Sequence, residues 1–316
     1  MAQNRAPEPA YDWNRMGERQ PLLHRGITLL DETLRDGIQN PSVRDPSREQ
    51  KLELLHLMSQ LGVHRVNAGL PASSKRNFED TLALCQAIVD EKLAIRPVAA
   101  GRTVVSDVEP IVEVAQCTGQ CVEVYVFIGS SPIRQYTEGW NVDWVREQSR
   151  KAISFAVREG LPVCYVTEDT TRSHPDALRT LWLSAIEHGA RRLCLTDTVG
   201  HATVHGVRHL VEHARGVIEE SGAEVGIDWH GHNDRGLALD NALWALELGA
   251  DRIHGTALGI GERTGNAPLD RIIEVLTLLG ELHTDRTLLE QYRKLARASL
   301  DWSGGLPTRT SSVGVS

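Results

Sequence analysis

Residues Glu224 to Thr256 read EVGIDWHGHNDRGLALDNALWALELGADRIHGT, and this stretch contains one complete repeat of the pattern that decides the fold. A short aliphatic run, Glu224 to His230, ends in a polar loop, and apolar residues then recur at helical spacing from Leu237 to Leu248. Gly249 marks the end of that helix, and a second strand-like run, Asp251 to Thr256, follows at once. Strands that alternate with helices in this way predict parallel strands joined by helical crossovers.

The same alternation runs through the chain from Gly26 onward. Six further strand-like runs lie at Ile27–Thr33, His64–Gly69, Ala94–Ala100, Cys121–Phe127, Pro162–Thr167 and Arg192–Thr196, with amphipathic stretches at Arg48–Leu61, Asn77–Glu91, Val142–Glu159 and Pro175–His188. Eight such units in roughly 250 residues predict a (β/α)8 TIM barrel of the α/β class. The alternative is a doubly wound open sheet, but the first strand leads into TLRDGIQN, which lacks the G-x-G-x-x-G of a dinucleotide-binding fold.

Length and charge limit the classes of protein to consider. The chain has 316 residues, a net charge of −8 and no long run of Lys or Arg, so neither nucleic acid nor a membrane surface is the expected partner. No apolar stretch approaches the ~20 residues that span a bilayer, and the opening residues lack an export signal, which favours a cytoplasmic location. Five scattered cysteines suit a reducing compartment. Cys117 and Cys121 could form half of a metal site, but no second pair follows, so core packing is the favoured interpretation.

We expect three segments along the chain. Residues 1–25 form an N-terminal extension, residues 26–283 form the catalytic barrel, and residues 284–316 form a short helical extension with a disordered tail. The helix is predicted over Thr284 to Trp302, and the Gly/Ser/Thr-rich tail over Ser303 to Ser316. No further regulatory domain is expected.

Polar residues cluster where the predicted strands end, and in this fold the carboxyl ends of the strands carry the functional groups. His230 and His232 are separated by one residue, so their side chains leave a strand in the same direction and can converge on a metal. The alternative is that one of the two histidines is a hydrogen-bonded polar group at the strand end and the other is solvated. Asp36, after the first strand, adds a carboxylate, and these three ligands leave positions open for water or a chelating substrate.

Other polar residues at the carboxyl ends of the strands have both a structural and a functional interpretation. Arg35 is either a stabiliser of a developing oxyanion or a solvated loop charge. Glu168 and Asp169 either belong to the site or cap the next helix, and Thr198 is either a substrate contact or a turn hydroxyl. The loop GIGERTGN, Gly259 to Asn266, lacks the lysine of a phosphate-binding loop, so a loop beside the metal is the favoured interpretation.

Six ordered motifs carry a family resemblance. They are DETLRDGIQN from Asp31, FIGSSPIR from Phe127, TEDTTR from Thr167, LTDTVGHAT from Leu195, HGHND from His230 and GIGERTGN from Gly259. Together they resemble the metal-dependent Claisen-condensing barrels, which include 2-isopropylmalate, homocitrate and citramalate synthases and, more distantly, 3-hydroxy-3-methylglutaryl-CoA lyase. The match extends from Ile27 to about Leu279, nearly the whole predicted barrel.

The resemblance implies a role for each motif residue. Asp36, His230, His232 and Asn266 would bind a divalent cation such as Mg²⁺, Mn²⁺ or Zn²⁺. Arg35 would face the reacting oxygen, Gln39 and Thr198 would contact a 2-oxo acid, and Glu168 would support the metal ligands without touching the metal. The far wall of the pocket, which decides the substrate tail, would include Asn67, Arg102, Ser131, Arg134 and Tyr136.

The implied reaction joins an acyl-CoA, acetyl-CoA in the synthases, to a 2-oxo acid and gives a 2-substituted malate and free CoA. The metal would polarise the ketone while a base removes a proton from the acyl methyl group. His201 and His254 are the candidate bases, and neither is assigned. The implied partners are the two small-molecule substrates and a second copy of the chain in a homodimer.

Two positions depart from the synthase pattern. Synthases carry glutamates where this chain has Ile38 and Asn67, and an apolar residue at position 38 is closer to the lyases. GIGERTGN lacks the cysteine-bearing loop of those lyases, which favours a synthase. Unless it only anchors its loop, the neutral amide of Asn67 predicts a 2-oxo acid with a polar, second anionic or bulkier tail.

Two other classes of function compete with the synthase. One is a carbon–carbon lyase of the hydroxymethylglutaryl-CoA type, which runs in the reverse direction. The other is a non-catalytic metal- or ligand-binding barrel, against which the complete set of four proposed metal ligands argues.

Overall fold

Eight parallel strands close into a barrel in the order in which they occur along the chain, which confirms the predicted fold class. The computed structural model describes residues 26–304. The strands are β1 (Thr28–Asp31), β2 (Arg65–Asn67), β3 (Arg96–Arg102), β4 (Glu123–Gly129), β5 (Val163–Glu168), β6 (Arg192–Asp197), β7 (Gly226–Gly231) and β8 (Arg252–Gly255). Pairing of β1 with β8, in which Leu30 lies opposite His254, closes the cylinder.

Helices surround the strands and connect each to the next. In the described part of the chain they are α1 (Arg48–Gln60), α2 (Lys75–Asp90), α3 (Val105–Thr118), α4 (Pro132–Glu138), α5 (Val142–Arg158), α6 (Pro175–Glu187), α7 (Val204–Ser221), α8 (Ala238–Leu248), α9 (Leu269–Leu278) and α10 (Arg286–Ser299). Gly249 ends α8 at φ +109°, a conformation that L side chains rarely adopt, and its N–H bonds to the carbonyl of Ala245. Such ends hold each connection short and aim the next strand back into the barrel.

Apolar residues form two layers. The larger layer lies between the strands and the helices, and a smaller cluster inside the barrel contains Leu30, Val98, Ala100, Tyr125, Cys164 and Cys194. The interior also holds charged residues, which the strand-like runs did not predict. Asp228 accepts from the Arg192 guanidinium at 2.5 Å, and Arg252 lies 3.3 Å from Asp228 and 3.0 Å from Glu123. Because a buried charge is costly unless it is paired, these ion pairs allow the charged side chains to lie inside the barrel.

Helix α10 packs against the barrel and confirms that the chain continues past it as a helix. Tyr292 of this helix is fully buried, and its hydroxyl donates to Asp31 at the end of β1 at 2.5 Å. None of the helices between residues 26 and 304 has the length and apolar character needed to cross a membrane. The predictions for residues 1–25 and for the tail from 305 to 316 lie outside the described residues.

Cysteine burial corrects one expectation. Cys85, Cys164 and Cys194 are buried, as expected for core residues, whereas Cys117 and Cys121 are exposed. The prediction of core packing is therefore wrong for that pair. Within residues 26–304 no cysteine belongs to a group of three potential metal ligands.

Candidate functional site

Four side chains from three loops and one strand converge at the carboxyl end of the barrel. Asp36 lies in the turn after β1, His230 ends β7 with His232 just beyond it, and Asn266 lies in the loop after β8. The Asp36 carboxylate is 3.2 Å from His230 Nε2 and 3.6 Å from His232 Nε2, and the two imidazole nitrogens are 3.3 Å apart. The amide Nδ2 of Asn266 donates to the same carboxylate at 2.7 Å. All four side chains are buried.

Backbone contacts hold these residues together. The carbonyl of Glu32 accepts from the N–H groups of Arg35, Asp36 and Gly37, which makes the tight turn that presents Asp36. On the opposite side, His232 and Asn266 face each other in an isolated antiparallel bridge. The loop after β8 therefore lies directly over the end of β7.

The spacing of the four side chains fits a bound divalent cation. Ligand atoms about 2.0–2.2 Å from a metal lie about 3.0–3.5 Å from one another, which is close to the separations among Asp36, His230 and His232. The Oδ1 atom of Asn266 is buried without a hydrogen-bond partner, as is Nδ1 of His232. Rotation of the Asn266 amide exchanges its oxygen and nitrogen and brings a fourth ligand atom to the cluster.

Charge states in this cluster also suit a metal. Burial alone would raise the pKa of Asp36, but Arg35 and the two imidazoles hold it well below its usual range, so the group is a carboxylate. Burial lowers the pKa of His232 to about 4, so its imidazole is neutral at pH 7. An ionised carboxylate and a neutral imidazole are the forms that bind metals.

The guanidinium of Arg35 is held by Glu32, a residue that the sequence analysis did not single out. Arg35 Nε lies 2.9 Å and Nη2 lies 2.5 Å from Glu32 Oε2, and Nη1 is 3.9 Å from the Asp36 carboxylate. Burial opposes ionisation of Glu32, but Arg35, together with His254 and His230, outweighs it and lowers the pKa of that carboxyl to about 2. Arg35 thus lies beside the proposed metal ligands with two of its three nitrogens already engaged.

Asn67 and His254 complete the surroundings of Glu32. Asn67 Nδ2 donates to Glu32 Oε2 at 3.0 Å, and His254 Nδ1 lies 3.4 Å from Oε1. The other ring nitrogen of His254 lies 3.0 Å from Asp228 in the interior network. Burial would lower the pKa of His254, but these two carboxylates raise it. His254, one of the two candidate bases, is thus fully buried between two anions.

A cavity of about 230 Å³ opens in front of these residues. Eight of the predicted site residues line it: Arg35, Asp36, Gln39, Asn67, Glu168, Thr198, His230 and His232. The candidate base His254 also lines it, as do residues that the sequence analysis gave no role, namely Glu32, Ala100, Tyr125, Phe127, Val166, Cys194, Thr196 and Glu262. Most of the predicted residues are therefore brought to one cavity.

Arg102, Arg134 and Tyr136 are not among the residues that line this cavity. Arg102 folds back on Asp107 in the first turn of α3, with Nε 2.7 Å from that carboxylate, and Tyr136 is 90% exposed on α4. Arg134 reaches only the rim, where Nη2 lies 3.6 Å from Glu168. The expectation that Arg102 and Tyr136 form the far wall is therefore wrong, because the side chain of Arg102, the last residue of β3, pairs with Asp107, and Tyr136 lies on the helix that leads outward after β4.

His201, the other candidate base, also lies away from the site. Its ring nitrogen Nδ1 contacts Arg235 at 3.2 Å, and it lines a separate cavity between α6 and α7. This arrangement does not bring His201 to the proposed metal ligands.

Glu168 and Thr198 line the cavity opposite Arg35. Burial raises the pKa of Glu168, while Arg134 partly opposes that effect. The cap of α6 is His174, whose side chain accepts from Asp176. Asp169 occupies the N-cap position of a short 3-10 turn, Thr170–Arg172, but its carboxylate pairs with Arg172 and makes no capping hydrogen bond. Thr198 accepts a hydrogen bond from the Asp169 backbone at 2.8 Å, which fixes its hydroxyl at the cavity wall.

Comparison with known proteins agrees with this geometry. The family model described as HMGL-like matches residues 26–297. A probable 2-isopropylmalate synthase of Methanopyrus kandleri is 31% identical over 261 residues, which cover 82% of this chain and 49% of that protein. Homocitrate synthase AksA of Methanocaldococcus jannaschii is 31% identical over 295 residues, covering 92% and 69%. The chain spans about half the length of the first synthases it matches.

Solved structures share the fold. The HMG-CoA lyase of Brucella melitensis superposes with a TM-score of 0.71 over 86% of this chain and 98% of that one, at 20% identity. The hydroxymethylglutaryl-CoA lyase of Pseudomonas aeruginosa gives 0.71 over 90% and 96%, also at 20% identity. At this identity the likeness shows the barrel and leaves the choice of reaction to the site.

Proposed function

The chain belongs to the HMGL-like family, and we propose that it is a metal-dependent enzyme that joins the acyl group of an acyl-CoA to a 2-oxo acid, releasing CoA. The observation that supports this most directly is the buried cluster of Asp36, His230, His232 and Asn266 beside Arg35. Relatives at 31% identity are named 2-isopropylmalate and homocitrate synthases, which favours condensation over cleavage.

We assign the four clustered residues as ligands of a divalent cation. When bound, such an ion acts as a Lewis acid toward the ketone of a chelated 2-oxo acid. The residues fit that ion because they supply an ionised carboxylate, neutral imidazole and an unpartnered amide oxygen. Asn266 and His232 close the site from the side of β8.

Other residues bind and orient the organic substrates in this proposal. Nη1 of Arg35 is the guanidinium nitrogen left free by Glu32, and it donates toward the oxygen on which negative charge develops. Gln39 and Thr198 contact the carboxylate end of the 2-oxo acid from opposite sides of the cavity. Glu168, whose pKa burial raises, supports this end of the site from the wall.

Release of free thiol tests the reaction directly. We expect purified protein with Mn²⁺ or Mg²⁺ to release CoA from acetyl-CoA in the presence of a suitable 2-oxo acid, and to lose that activity when the metal is chelated. His232→Ala is the matched inactive control. Thiol release that does not depend on the 2-oxo acid would contradict the proposal.

A lyase is the second candidate, favoured by the apolar Ile38 after RDG. Cleavage of 3-hydroxy-3-methylglutaryl-CoA to acetyl-CoA without thiol release would establish it and reject the synthase. Stoichiometric metal binding with neither activity would support a non-catalytic barrel. Gel filtration with light scattering tests the proposed homodimer separately.

A further inference from the structure

We propose that the cavity selects a 2-oxo acid whose tail ends in a hydrogen-bond donor, such as a hydroxyl group, and rejects tails that end in a methyl group or a second carboxylate. This inference rests on the proposed function and specifies its substrate class. The selecting groups are Glu32 and His254, at the wall of the cavity next to Asn67.

The two carboxylate oxygens of Glu32 have different surroundings. Oε2 accepts from Arg35 Nε at 2.9 Å, from Arg35 Nη2 at 2.5 Å and from Asn67 Nδ2 at 3.0 Å. Oε1 is buried and has no hydrogen-bond partner. Since an ionised carboxylate oxygen accepts strongly and is costly to leave unpaired, Oε1 is an acceptor that lacks its donor.

His254 faces the same gap. Its Nε2 lies 3.0 Å from Asp228, and its Nδ1 faces Glu32 without a hydrogen-bond partner. The 3.4 Å between Nδ1 and Glu32 Oε1 exceeds the 2.7–3.2 Å of an N–H···O hydrogen bond, so the two atoms do not satisfy each other. A donor group placed against this pair would bond to Oε1 and lie beside Nδ1.

The pair is within reach of a molecule held at the proposed metal ligands. The ring of His254 contacts the ring of His230 edge to face, with centroids 5.5 Å apart. Glu32 precedes Asp36 in the same turn, and all of these residues line one cavity. The tail of a small 2-oxo acid anchored at Asp36 and His230 therefore points along the wall formed by Glu32, Asn67 and His254.

Charge decides against an anionic tail. The carboxylate that synthases carry at position 67 is absent here, but Glu32 places one in contact with Asn67. The Asn67 amide nitrogen donates to Glu32, and two of the three nitrogens of Arg35 do the same. A second carboxylate on the substrate would meet the ionised Glu32, whose nearest cation, Arg35, is already paired with it. The expectation that loss of a carboxylate at Asn67 admits an anionic tail is thus replaced by the opposite one.

An apolar tail is disfavoured for a different reason. A methyl group against Oε1 would exclude water from this ionised acceptor and leave it unpaired. Sites built to hydrogen-bond a substrate hydroxyl reject the analogue that lacks it, because their own buried polar groups lose their partner. A hydroxyl of the same size supplies the missing donor.

Three 2-oxo acids that differ only at the end of the tail test this selection: 4-hydroxy-2-oxobutanoate, 2-oxopentanoate and 2-oxoglutarate. Their dissociation constants are measured by calorimetry on the Mn²⁺-loaded wild-type protein, without acyl-CoA. We expect the hydroxyl compound to bind about tenfold or more tightly than either of the others. In Glu32→Gln the advantage over 2-oxopentanoate should fall to about threefold or less, because a neutral amide is a weaker acceptor.

Glu262→Gln is the matched control, since Glu262 lines the same cavity but is exposed at its rim. It should keep the wild-type ranking. Equal or tighter binding of 2-oxopentanoate or 2-oxoglutarate by the wild type would overturn the proposal, and this result does not depend on whether the Glu32 variant folds.

Two further outcomes distinguish tail selection from a second metal site and from failure of the proposed reaction. Glu32, His230 and His254 also form a group of three potential metal ligands, so a stoichiometry of two Mn²⁺ per chain that falls to one in Glu32→Gln would overturn donor selection in favour of a second cation. Binding with the expected preference but without CoA release from acetyl-CoA would support the tail selection and reject the proposed reaction.

Discussion

Removal of one buried hydroxyl tests how the C-terminal helix stabilises the turn that carries the site. Tyr292 on α10 donates to Asp31 Oδ2 at 2.5 Å, and Asp31 Oδ1 accepts from the Thr33 backbone at 2.8 Å. Asp31 immediately precedes Glu32, whose carbonyl organises the turn to Asp36. Tyr292→Phe deletes the hydroxyl, leaves the ring in place and makes no cavity larger than one oxygen atom.

The cost of this change should depend on pH. Burial raises the pKa of Asp31 from its ordinary 3.8 to about 6, and the hydrogen bonds from Thr33 and Tyr292 limit that rise. Because the folded-state pKa lies above the unfolded one, the stability linked to this group is fully present below pH 3.8 and is lost as the pH rises through about 6. A shift of this size corresponds to about 3 kcal/mol.

Without the hydroxyl, the folded-state pKa of Asp31 must rise further, since one of the groups that lowers it is gone. At pH 5, where Asp31 is mostly protonated, the variant should lose about 0.5–1.5 kcal/mol of unfolding free energy, as for a neutral hydrogen bond. At pH 8 the loss should be about 1.5–3 kcal/mol, as for a bond to a charged group.

Urea unfolding at the two pH values measures this difference, and Tyr165→Phe is its control. Tyr165 is also fully buried, and its hydroxyl pairs with the neutral Ser149 hydroxyl at 2.9 Å. That variant should lose the same free energy at pH 5 and pH 8. An equal loss for Tyr292→Phe at both pH values would refute the assignment of Asp31 as its charged acceptor.

Three further variants test the proposed site. His230→Ala and His232→Ala should abolish turnover and metal binding while the circular dichroism spectrum stays unchanged, because each removes a ligand at a strand end. Stoichiometric metal binding with a wild-type rate in either variant would reject the assignment. Arg35→Lys should lower kcat by about 100-fold with a smaller change in KM, since a planar fork is replaced by a point charge, and a raised KM alone would make Arg35 a ground-state contact. Asn67→Glu places a second carboxylate against Glu32, whose Oε2 lies 3.0 Å from the amide nitrogen of Asn67. The melting temperature of this variant should fall more at pH 8 than at pH 5, because two adjacent carboxylates repel each other when both are ionised. An unchanged melting temperature at both pH values would contradict that contact.

The fold was predictable because it depends on a repeated local pattern. Alternating aliphatic runs and amphipathic helices identify all eight strands, and closure of β1 on β8 follows from their number. The ends of the strands were less accurate. β3 runs over Arg96–Arg102 where 94–100 was expected, because the apolar character of a run does not show where pairing with β2 and β4 begins.

The positions of polar residues close to a strand end were predictable for the same reason. Asp36, His230 and His232 lie within a few residues of a strand whose direction is fixed by the barrel, so their convergence followed from the fold. The prediction failed for Tyr136 because α4 carries its side chain outward, and for Arg102 because Asp107, at the start of α3, binds its guanidinium. Once the chain leaves the strand, only the local turn decides where a side chain lies.

Glu32, which the sequence analysis did not single out, and His254, which it named only as a candidate base, both carry a usable signal. Successive residues of a strand alternate between faces, so Glu32 shares the inner face with Leu30, and His254 shares it with Arg252. This alternation places both side chains inside the barrel. It does not show that they meet, because the strands β1 and β8 pair only after the barrel closes.

The orientation of His254 depends on residues still deeper in the barrel, and no local pattern shows them. Asp228 holds Nε2 of His254, and Asp228 can remain ionised because Arg192 and Arg252 flank it. Those partners come from β6, β7 and β8, and their contacts depend on how neighbouring strands are offset across the barrel. The position of Nδ1 opposite Glu32 is thus a consequence of the contact between Nε2 and Asp228 one layer below the cavity. The proposed selection at the cavity wall therefore depends on Asp228, a residue that does not line the cavity.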